Sequence, residues 1–350
     1  MGLNFCNLSI LVCLAVPVTV HGQASAPPAA AAEPAPATLQ QAKELAAKGK
    51  LEPAMAILNS LATATPEEAG VEHLRGLILY QREQLPEAEK ALEKAVEQDP
   101  KDMEALEMRG VTVFRLGHPE QAIPMLETAH AAVAATNVDP QYVLGLCYVD
   151  TKRYDDARRA FAGQFGFETD SPEAYLVTAR LLLRREFADQ ATLFAQKALE
   201  LRATLPLAHQ LLGEVALAKG DLPKAVSELE AEAKLNPLNG MLYDRLGDAY
   251  VRNGQFEQAR QALNKAVLLE PNATGPYILL GEALVKLGDP VQAMHYLNRA
   301  VKMDPGNYVT HNIMGQAYRA LGQMADANRE YKLSVEIQHR NDPKPAGAKQ

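Results

Sequence analysis

From Leu39 onward, apolar residues recur with helical spacing between polar ones, and this pattern is broken only by short turn signals. The pattern also has a long period, because its landmark residues repeat every 34 positions. The clearest landmarks are three prolines and three glycines: Pro237, Pro271, Pro305, Gly247, Gly281 and Gly315. A fixed period of this length, built from two helical segments, predicts a solenoid of helical hairpins.

Small residues mark two places in each predicted hairpin. An alanine recurs at Ala54, Ala88, Ala122, Ala157, Ala191, Ala225, Ala259, Ala293 and Ala327. Twelve residues earlier stands a glycine or another alanine, at Ala42, Gly76, Gly110, Gly145, Ala179, Gly213, Gly247, Gly281 and Gly315. We call these the second-helix and the first-helix small positions. Two antiparallel helices approach closely where both carry tiny side chains, so the two positions are predicted to face each other.

These small residues, together with prolines and aromatic residues at fixed offsets, resemble the tetratricopeptide repeat family. The prolines that match the end of the second helix are Pro66, Pro100, Pro237, Pro271 and Pro305. The matching aromatic residues are Tyr148, Tyr243, Tyr250, Tyr277 and Tyr318 in first helices and Phe161 and Tyr331 in second helices. The resemblance covers about nine repeats and implies an all-α fold, a right-handed α-solenoid of helix-turn-helix repeats.

The turns between the two helices of a repeat carry their own signals. Glycines are predicted to end the first helices in the left-handed conformation: Gly117, Gly220, Gly254, Gly288 and Gly322. Asp221 and Asp289 are predicted to cap the helices that follow. Prolines fit the first turns of second helices: Pro53, Pro86, Pro119, Pro223 and Pro290.

Repeats four and five depart from this pattern. Repeat four has one extra residue near Asn137, and its second helix contains Gly163, Gln164 and Gly166. Repeat five lacks the glycine that ends the first helix elsewhere. Because helix propensity falls here, residues 162–173 are predicted to form the weakest joint of the array. The alternative is simple divergence of one repeat.

Four kinds of segment are predicted along the chain. Residues 1–22 form a signal peptide or hydrophobic leader, because an apolar run is followed there by small residues. Residues 23–34 form an Ala/Pro-rich linker, and residues 342–350 a disordered tail. The solenoid occupies residues 35–341, with repeats at 35–68, 69–102, 103–136, 138–171, 172–205, 206–239, 240–273, 274–307 and 308–341.

The leader predicts export, to the periplasm or out of the cell. The first basic residue of the chain is Lys43, so the positive charge that usually precedes such an apolar run is missing. A cytoplasmic protein, or one tethered to a membrane by its N-terminal segment, is therefore the alternative. No run of 18 apolar residues occurs, so no membrane span is expected in the mature chain.

Charge and motifs exclude several classes of function. The formal net charge of −8 argues against nucleic-acid binding, which requires a basic face. No nucleotide, zinc or nucleophile motif occurs, so the chain is predicted not to be an enzyme and to hold neither a cofactor nor a metal. Cys147 is expected to be buried in a first helix. His311 takes the place of Tyr243 and Tyr277 in the preceding repeats, so it is expected to serve packing.

The family resemblance implies a concave groove lined by first helices, where ligands of these repeats usually lie. Its inward positions are three residues before, one after and four after the first-helix small position. The candidate groove residues are Leu77, Tyr80, Val111, Phe114, Tyr142, Leu146, Arg180, Leu183, Glu214, Asp244, Asp248 and Glu282. They predict an apolar zone in repeats two to five and an acidic strip in repeats six to eight. The alternatives are burial of the apolar zone by tight winding and simple solvation of the carboxylates.

Some members of the family clamp the carboxylate end of chaperone tails with basic residues on this face. Here the matching positions are acidic, so a chaperone-tail adaptor is disfavoured. We expect a non-enzymatic scaffold that binds a protein or peptide segment in the groove. The alternative is a structural subunit of a secretion, pilus or polysaccharide machinery, acting through its ends or convex face. End-to-end self-association through Leu333 and Ile337 on the last helix would serve that role.

Overall fold

The computed structural model describes residues 38–132 and 140–341, and this part of the chain contains eighteen α-helices and no β-strand. The chain divides into two compact units, Met1–Thr151 and Lys152–Gln350. The helices of the first unit are α1 Leu39–Ala47, α2 Leu51–Leu61, α3 Val71–Gln81, α4 Leu85–Gln98, α5 Met103–Arg115, α6 Pro119–Ala131 and α7 Gln141–Asp150. Those of the second unit are α8 Tyr154–Phe165, α9 Pro172–Arg184, α10 Ala188–Leu201, α11 Ala208–Lys219, α12 Leu222–Leu235, α13 Gly240–Arg252, α14 Phe256–Leu269, α15 Thr274–Lys286, α16 Pro290–Met303, α17 Tyr308–Ala320 and α18 Met324–Asn341.

The predicted all-α class and the α-solenoid architecture are confirmed. Each predicted repeat segment contains an odd-numbered first helix followed by an even-numbered second helix. In the second unit, for example, α13 packs against its hairpin partner α14 and also against α15, the first helix of the next repeat. The predicted leader, linker and tail, and the extra residue near Asn137, lie outside the described residues.

The two small positions are buried in every repeat, and a larger side chain packs between the helices beside them. All nine second-helix alanines have no solvent exposure. A methyl group added to Gly281 would lie only 2.5 Å from the side chain of Leu297, sixteen residues later, and Gly76 stands in the same relation to Leu92. The glycine therefore makes room for a fully buried leucine on the second helix, and at Gly213 the carbonyl oxygen of the alanine Ala225 also lies 3.4 Å from such a methyl group. Spacing alone does not show which residue of the facing helix fills that room.

Every hairpin turn places one residue in the left-handed conformation, and glycine is not always there. The nine residues are Gly49, Glu83, Gly117, Lys152, Glu186, Gly220, Gly254, Gly288 and Gly322, with φ between 61° and 89°. The next backbone N–H then reaches a carbonyl in the last turn of the first helix, as in the bond from Gln255 to Tyr250. The turn geometry thus outweighs residue preference at Glu83, Lys152 and Glu186.

The predicted helix starts are confirmed. Asp221 and Asp289 accept hydrogen bonds from backbone N–H groups of the first turns of α12 and α16. Prolines occupy the first or second position of five helices. Four of these are second helices, with Pro86, Pro119, Pro223 and Pro290, and one is a first helix, with Pro172.

One arginine holds the segment predicted to be the weakest joint. Arg158 of α8 is 7% exposed; its guanidinium donates to the carbonyl of Thr169 and lies 2.7 Å from a carboxylate oxygen of Asp170. Its other face lies 4.5 Å from the ring centre of Tyr175 on α9. The loop between α8 and α9 is therefore tied to both helices, although its sequence favours neither helix nor strand.

The last helix corrects one expectation about self-association. Ile337 is only 5% exposed, so it packs inside its own repeat and is not available to dock a neighbour. Leu333 is half-buried, and Val335, which the sequence analysis did not select, is 50% exposed. In the second half of this helix, the exposed apolar residue is thus Val335.

Replacing Glu186 by glycine is expected to stabilise the protein. A non-glycine residue in the left-handed region costs about 1–2 kcal/mol, and the extra freedom of glycine in the unfolded chain offsets about 0.5–1 kcal/mol of the gain. The net increase, roughly 0.5–1 kcal/mol, should appear as a higher denaturant midpoint at constant m-value. The matched control is Gly288→Ala at φ 82°, which should lower the midpoint. A lower midpoint for Glu186→Gly would show that this turn carries no strain.

Candidate functional site

All twelve predicted groove residues are half-buried and lie on first helices. Two groups keep the names used below. The apolar wall consists of Leu77, Tyr80, Val111, Phe114, Tyr142 and Leu146 in the first unit. The acidic strip consists of Glu214, Asp244, Asp248 and Glu282 in the second unit, where Arg180 and Leu183 lie on α9. We call the accessible side of the first helices the first-helix face.

The rule that selected these residues is only partly right. In the same repeats it also selects Glu107, Val149, Gln210, Leu217, Val251 and Ile278, all of which are buried. The physical reason is the helical turn of about 100° per residue. Four residues after the small position the side chain has turned back to within about 40° of the hairpin contact, whereas five residues after it points about 140° away. Except for the half-buried Asp150, the positions five residues after are in fact exposed, among them Arg184, Arg252 and Lys286.

The apolar wall has an aromatic residue held at its edge. The guanidinium carbon of Arg115 lies 4.9 Å from the ring centre of Tyr80, and the same arginine pairs with Glu83 at the end of α3. These contacts fix the ring before any ligand arrives. A side chain that is already ordered loses little further freedom on binding, which favours its use as an anchor.

The acidic strip is assembled from neighbouring repeats. Asp244 of α13 reaches over the start of α15, where a methyl group on Gly275 would lie 3.5 Å from its Oδ1 atom. That oxygen is buried and has no hydrogen-bond partner among the described residues. Glu214 of α11 accepts a hydrogen bond from Gln210 at 2.8 Å, and Asp248 lies 3.6 Å from Arg252. Asp244 is therefore the carboxylate with the least compensation.

Burial disfavours the charge on two of these carboxylates. The pKa of Asp244 is raised above its usual value by burial, with a further increase from Asp248 and an opposing effect of Arg245. The pKa of Glu282 is raised in the same way by burial and by Asp248, against the effect of Lys286. Both shifts connect Asp248 on α13 with its neighbours, so these three acids act on one another. A cation brought to them would relieve this repulsion.

His311 serves more than packing. Its Nδ1 atom lies 2.7 Å from a carboxylate oxygen of Glu330, and its Nε2 atom lies 3.2 Å from the carbonyl oxygen of Pro305. The ring is 5% exposed, so this contact is a buried polar pair. Tyr277 and Tyr296 form a ring contact at the same two positions of another repeat. The same site in the hairpin thus accepts either an aromatic pair or a histidine–glutamate pair.

Cys147 is fully buried, as predicted. Across residues 38–132 and 140–341, histidine, cysteine and carboxylate side chains form no group of three that could hold a metal ion. In that same part of the chain, every helix is too short or too polar to cross a bilayer.

Comparison with known proteins identifies the repeat. A family model described as tetratricopeptide repeat matches residues 245–308 and again residues 278–337. These ranges include the glycine–leucine contacts at Gly247 and Gly281. The chain contains tetratricopeptide repeats. A second model, described as the N-terminal domain of the T7SS, ESX-1 secretion system protein EccA1, matches residues 22–179. Among curated protein sequences there is no match.

Solved structures similar to this tetratricopeptide repeat protein cover different shares of it. YrrB, described as a TPR protein with an unusual peptide-binding site, is 24% identical over 53% of this chain and 93% of its own, with a TM-score of 0.47. MamA from Desulfovibrio magneticus RS-1 is 21% identical over 49% of this chain and 98% of its own, with a TM-score of 0.46. A chain of the APC/C hetero-tetramer Cut9–Hcn1 is 16% identical over 80% of this chain and 55% of its own, with a TM-score of 0.43.

Replacing Asp244 by asparagine is expected to stabilise the protein at neutral pH. Because the pKa of Asp244 is raised on folding, the folded state binds its proton more tightly than the unfolded state does. This contribution is present below the unfolded value of about 3.9 and is lost as the pH rises through the higher folded value. The variant should therefore be more stable than the unaltered protein at pH 7, and the gain should shrink as the pH falls toward 4.

The measurement is denaturant unfolding at both pH values. The exposed Glu97, changed to Gln, is the control and should leave stability nearly unchanged at either pH. A loss of stability in Asp244→Asn at pH 7 would mean that this carboxylate has a compensating partner in the folded protein.

Proposed function

We propose that this tetratricopeptide repeat protein is a non-enzymatic scaffold that binds a protein or peptide segment on its first-helix face. The observation that carries the proposal is the state of that face: its apolar and charged side chains are half-buried, too exposed to be core and too enclosed to be ordinary surface. Repeats of this family generally serve protein–protein interaction. A partner that covers these residues completes their burial.

Two different contacts are proposed, one in each unit. In the first unit, the apolar wall receives apolar side chains of the partner, with Tyr80 as a fixed anchor. In the second unit, the acidic strip receives basic side chains, because Asp244 and Glu282 are destabilised as anions by burial and by Asp248. Neither of the two proposed contacts requires the other.

The proposed location is outside the cytoplasm, in the periplasm or secreted. This rests on the apolar N-terminal run alone, and the alternatives remain a cytoplasmic protein or one tethered by its N-terminal segment. The proposed partner is a protein or peptide and not a nucleic acid, in keeping with the net charge of −8.

A second candidate is a structural subunit of an envelope secretion assembly. The match of residues 22–179 to a domain of a secretion-system protein favours it. In this role the protein acts through its ends or its convex face. The exposed Val335 on α18 gives one such end an accessible apolar contact.

The binding proposal predicts a loss of affinity on charge reversal. Changing both Asp244 and Asp248 to Lys should weaken binding of a basic peptide about tenfold or more, and added salt should weaken binding to the unaltered protein. In the same titrations, changing Tyr80, Phe114 and Tyr142 to Ala should leave the basic peptide unaffected and should abolish capture of apolar partners. Calorimetric titration measures the first effect, and affinity capture from the native envelope fraction measures the second. Indifference to both salt and charge reversal would remove the acidic strip from the proposal.

The assembly candidate predicts sensitivity at α18 instead. Val335→Glu should abolish self-association or docking to a larger complex, because it puts a charge at the exposed apolar contact. Val335→Ile is the matched control and should preserve it. Sedimentation velocity gives the oligomeric state of both variants, and peptide binding to the first-helix face should be the same in both. If Val335→Glu assembles normally, this end of the chain is not an interface.

A further inference from the structure

Two rows of opposite charge run side by side across the first-helix face of the second unit. Glu214, Asp248 and Glu282 stand one residue after the first-helix small position in three successive repeats, and we call them the acidic row. Arg252 and Lys286 stand five residues after it in two of these repeats, and we call them the basic row. The acidic residues are half-buried and the basic residues are exposed.

Helix geometry places the two rows on the same face. Residues four positions apart lie one turn apart, about 6 Å along the helix axis and on nearly the same side. Because α13 contacts α15 directly, the equivalent positions of successive first helices form lines that cross the helices. A segment bound across α11, α13 and α15 therefore meets negative charge along one edge and positive charge along the other.

The ion pairs between the two rows are not held by hydrogen bonds. Asp248 and Arg252 approach to 3.6 Å, longer than a hydrogen bond between charged groups. Lys286 acts on Glu282 through its charge and not through a hydrogen bond. Arg252 is held in place by a hydrogen bond of 3.2 Å to the carbonyl oxygen of Leu217 on α11. Both rows thus keep bonding capacity for a ligand.

Other charges near the rows do not remove this pattern. Asp244 lies one turn before Asp248 and adds to the acidic side. Arg245 is exposed beside it, but the equivalent residues in the neighbouring repeats are Leu211 and Leu279, so it forms no row. The separation of about 6 Å between the rows is shorter than the Debye length of about 8 Å at physiological salt. A purely basic segment on the acidic row is therefore also repelled by the basic row.

From this arrangement we infer that the second unit recognises a segment with basic side chains along one edge and acidic side chains along the other. The inference rests on the proposed function and specifies its ligand. In an extended chain, successive side chains point to opposite sides, so alternating basic and acidic residues give this ligand. Crossing α11 to α15 takes about 20 Å, or roughly six extended residues.

Three ten-residue peptides test the pattern on the full-length protein. Alternating Lys-Glu puts all lysines on one edge, whereas repeated Lys-Lys-Glu-Glu has nearly the same composition but mixes both charges on each edge. Decalysine supplies positive charge without a pattern. The alternating peptide is expected to bind about tenfold more tightly than the other two in calorimetric titrations at physiological salt. Equal affinity of the two mixed peptides, or tighter binding of decalysine, would overturn the inference.

A protein with one repeat inverted tests the two rows. The changes Asp248→Arg and Arg252→Asp leave the net charge unchanged and mix both charges within each row. This variant is expected to lose the tenfold preference for the alternating peptide, and circular dichroism checks that it is folded. An unchanged preference would overturn the inference.

The peptide titrations distinguish a failure of the charge pattern from a failure of the proposed function. Tighter binding of decalysine would leave the scaffold with a basic ligand and remove only the pattern. If none of the three peptides binds, both the pattern and the proposed use of the acidic strip are wrong.

Discussion

In five of the nine repeats, the contact between a glycine on the first helix and a leucine on the second sets the spacing of the hairpin. Gly281 and Leu297 show it most simply: the leucine side chain occupies the volume that a side chain on the glycine would need. A pair of helices joined in this way is narrow, and adjacent first helices then lie side by side. On their accessible face, neighbouring residues therefore come from successive repeats and not only from one helix. The charged rows and the apolar wall both depend on this arrangement.

Around this contact, other positions of the hairpin vary in chemistry without changing the geometry. Where one repeat packs Tyr277 against Tyr296, another pairs His311 with Glu330. Each pair bridges the first and the second helix of its own repeat. The polar version requires complete hydrogen bonding, which the carbonyl of Pro305 supplies. The repeat therefore tolerates change wherever the replacement satisfies the same two partners.

Much of the fold could be predicted from the sequence, because it depends on local signals repeated many times. The caps Asp221 and Asp289 and the buried alanines are of this kind. The left-handed turns at Glu83 and Glu186 could not be predicted, since residue preference opposes them and the packed hairpin enforces them. The leucine that meets the glycine was missed because period and spacing do not identify partners across a hairpin.

The candidate site could likewise be predicted only in part from the sequence. The half-buried state of residues such as Tyr80 and Asp248 agrees with their selection from the repeat pattern. The basic row was missed, although the spacing of four between Asp248 and Arg252 and between Glu282 and Lys286 was visible in the sequence. The selection rule included the position four residues after the first-helix small position, whose side chain turns toward the hairpin. It left out the position five residues after, whose side chain turns away from the hairpin. The exposure of Val335 and burial of Ile337 depend on packing within the last repeat and had no such signal.

The placement of the glycine–leucine contact inside a single hairpin has a consequence for how such a chain can evolve. Because both residues lie within one repeat unit, in-frame duplication or loss of a whole unit leaves each surviving contact complete. Such an event lengthens or shortens the first-helix face by one step. If the unit carries Asp248 and Arg252, or Glu282 and Lys286, the event also adds or removes one charge in each row. Gene duplication thus offers this protein a direct route from one ligand length to another without a new core.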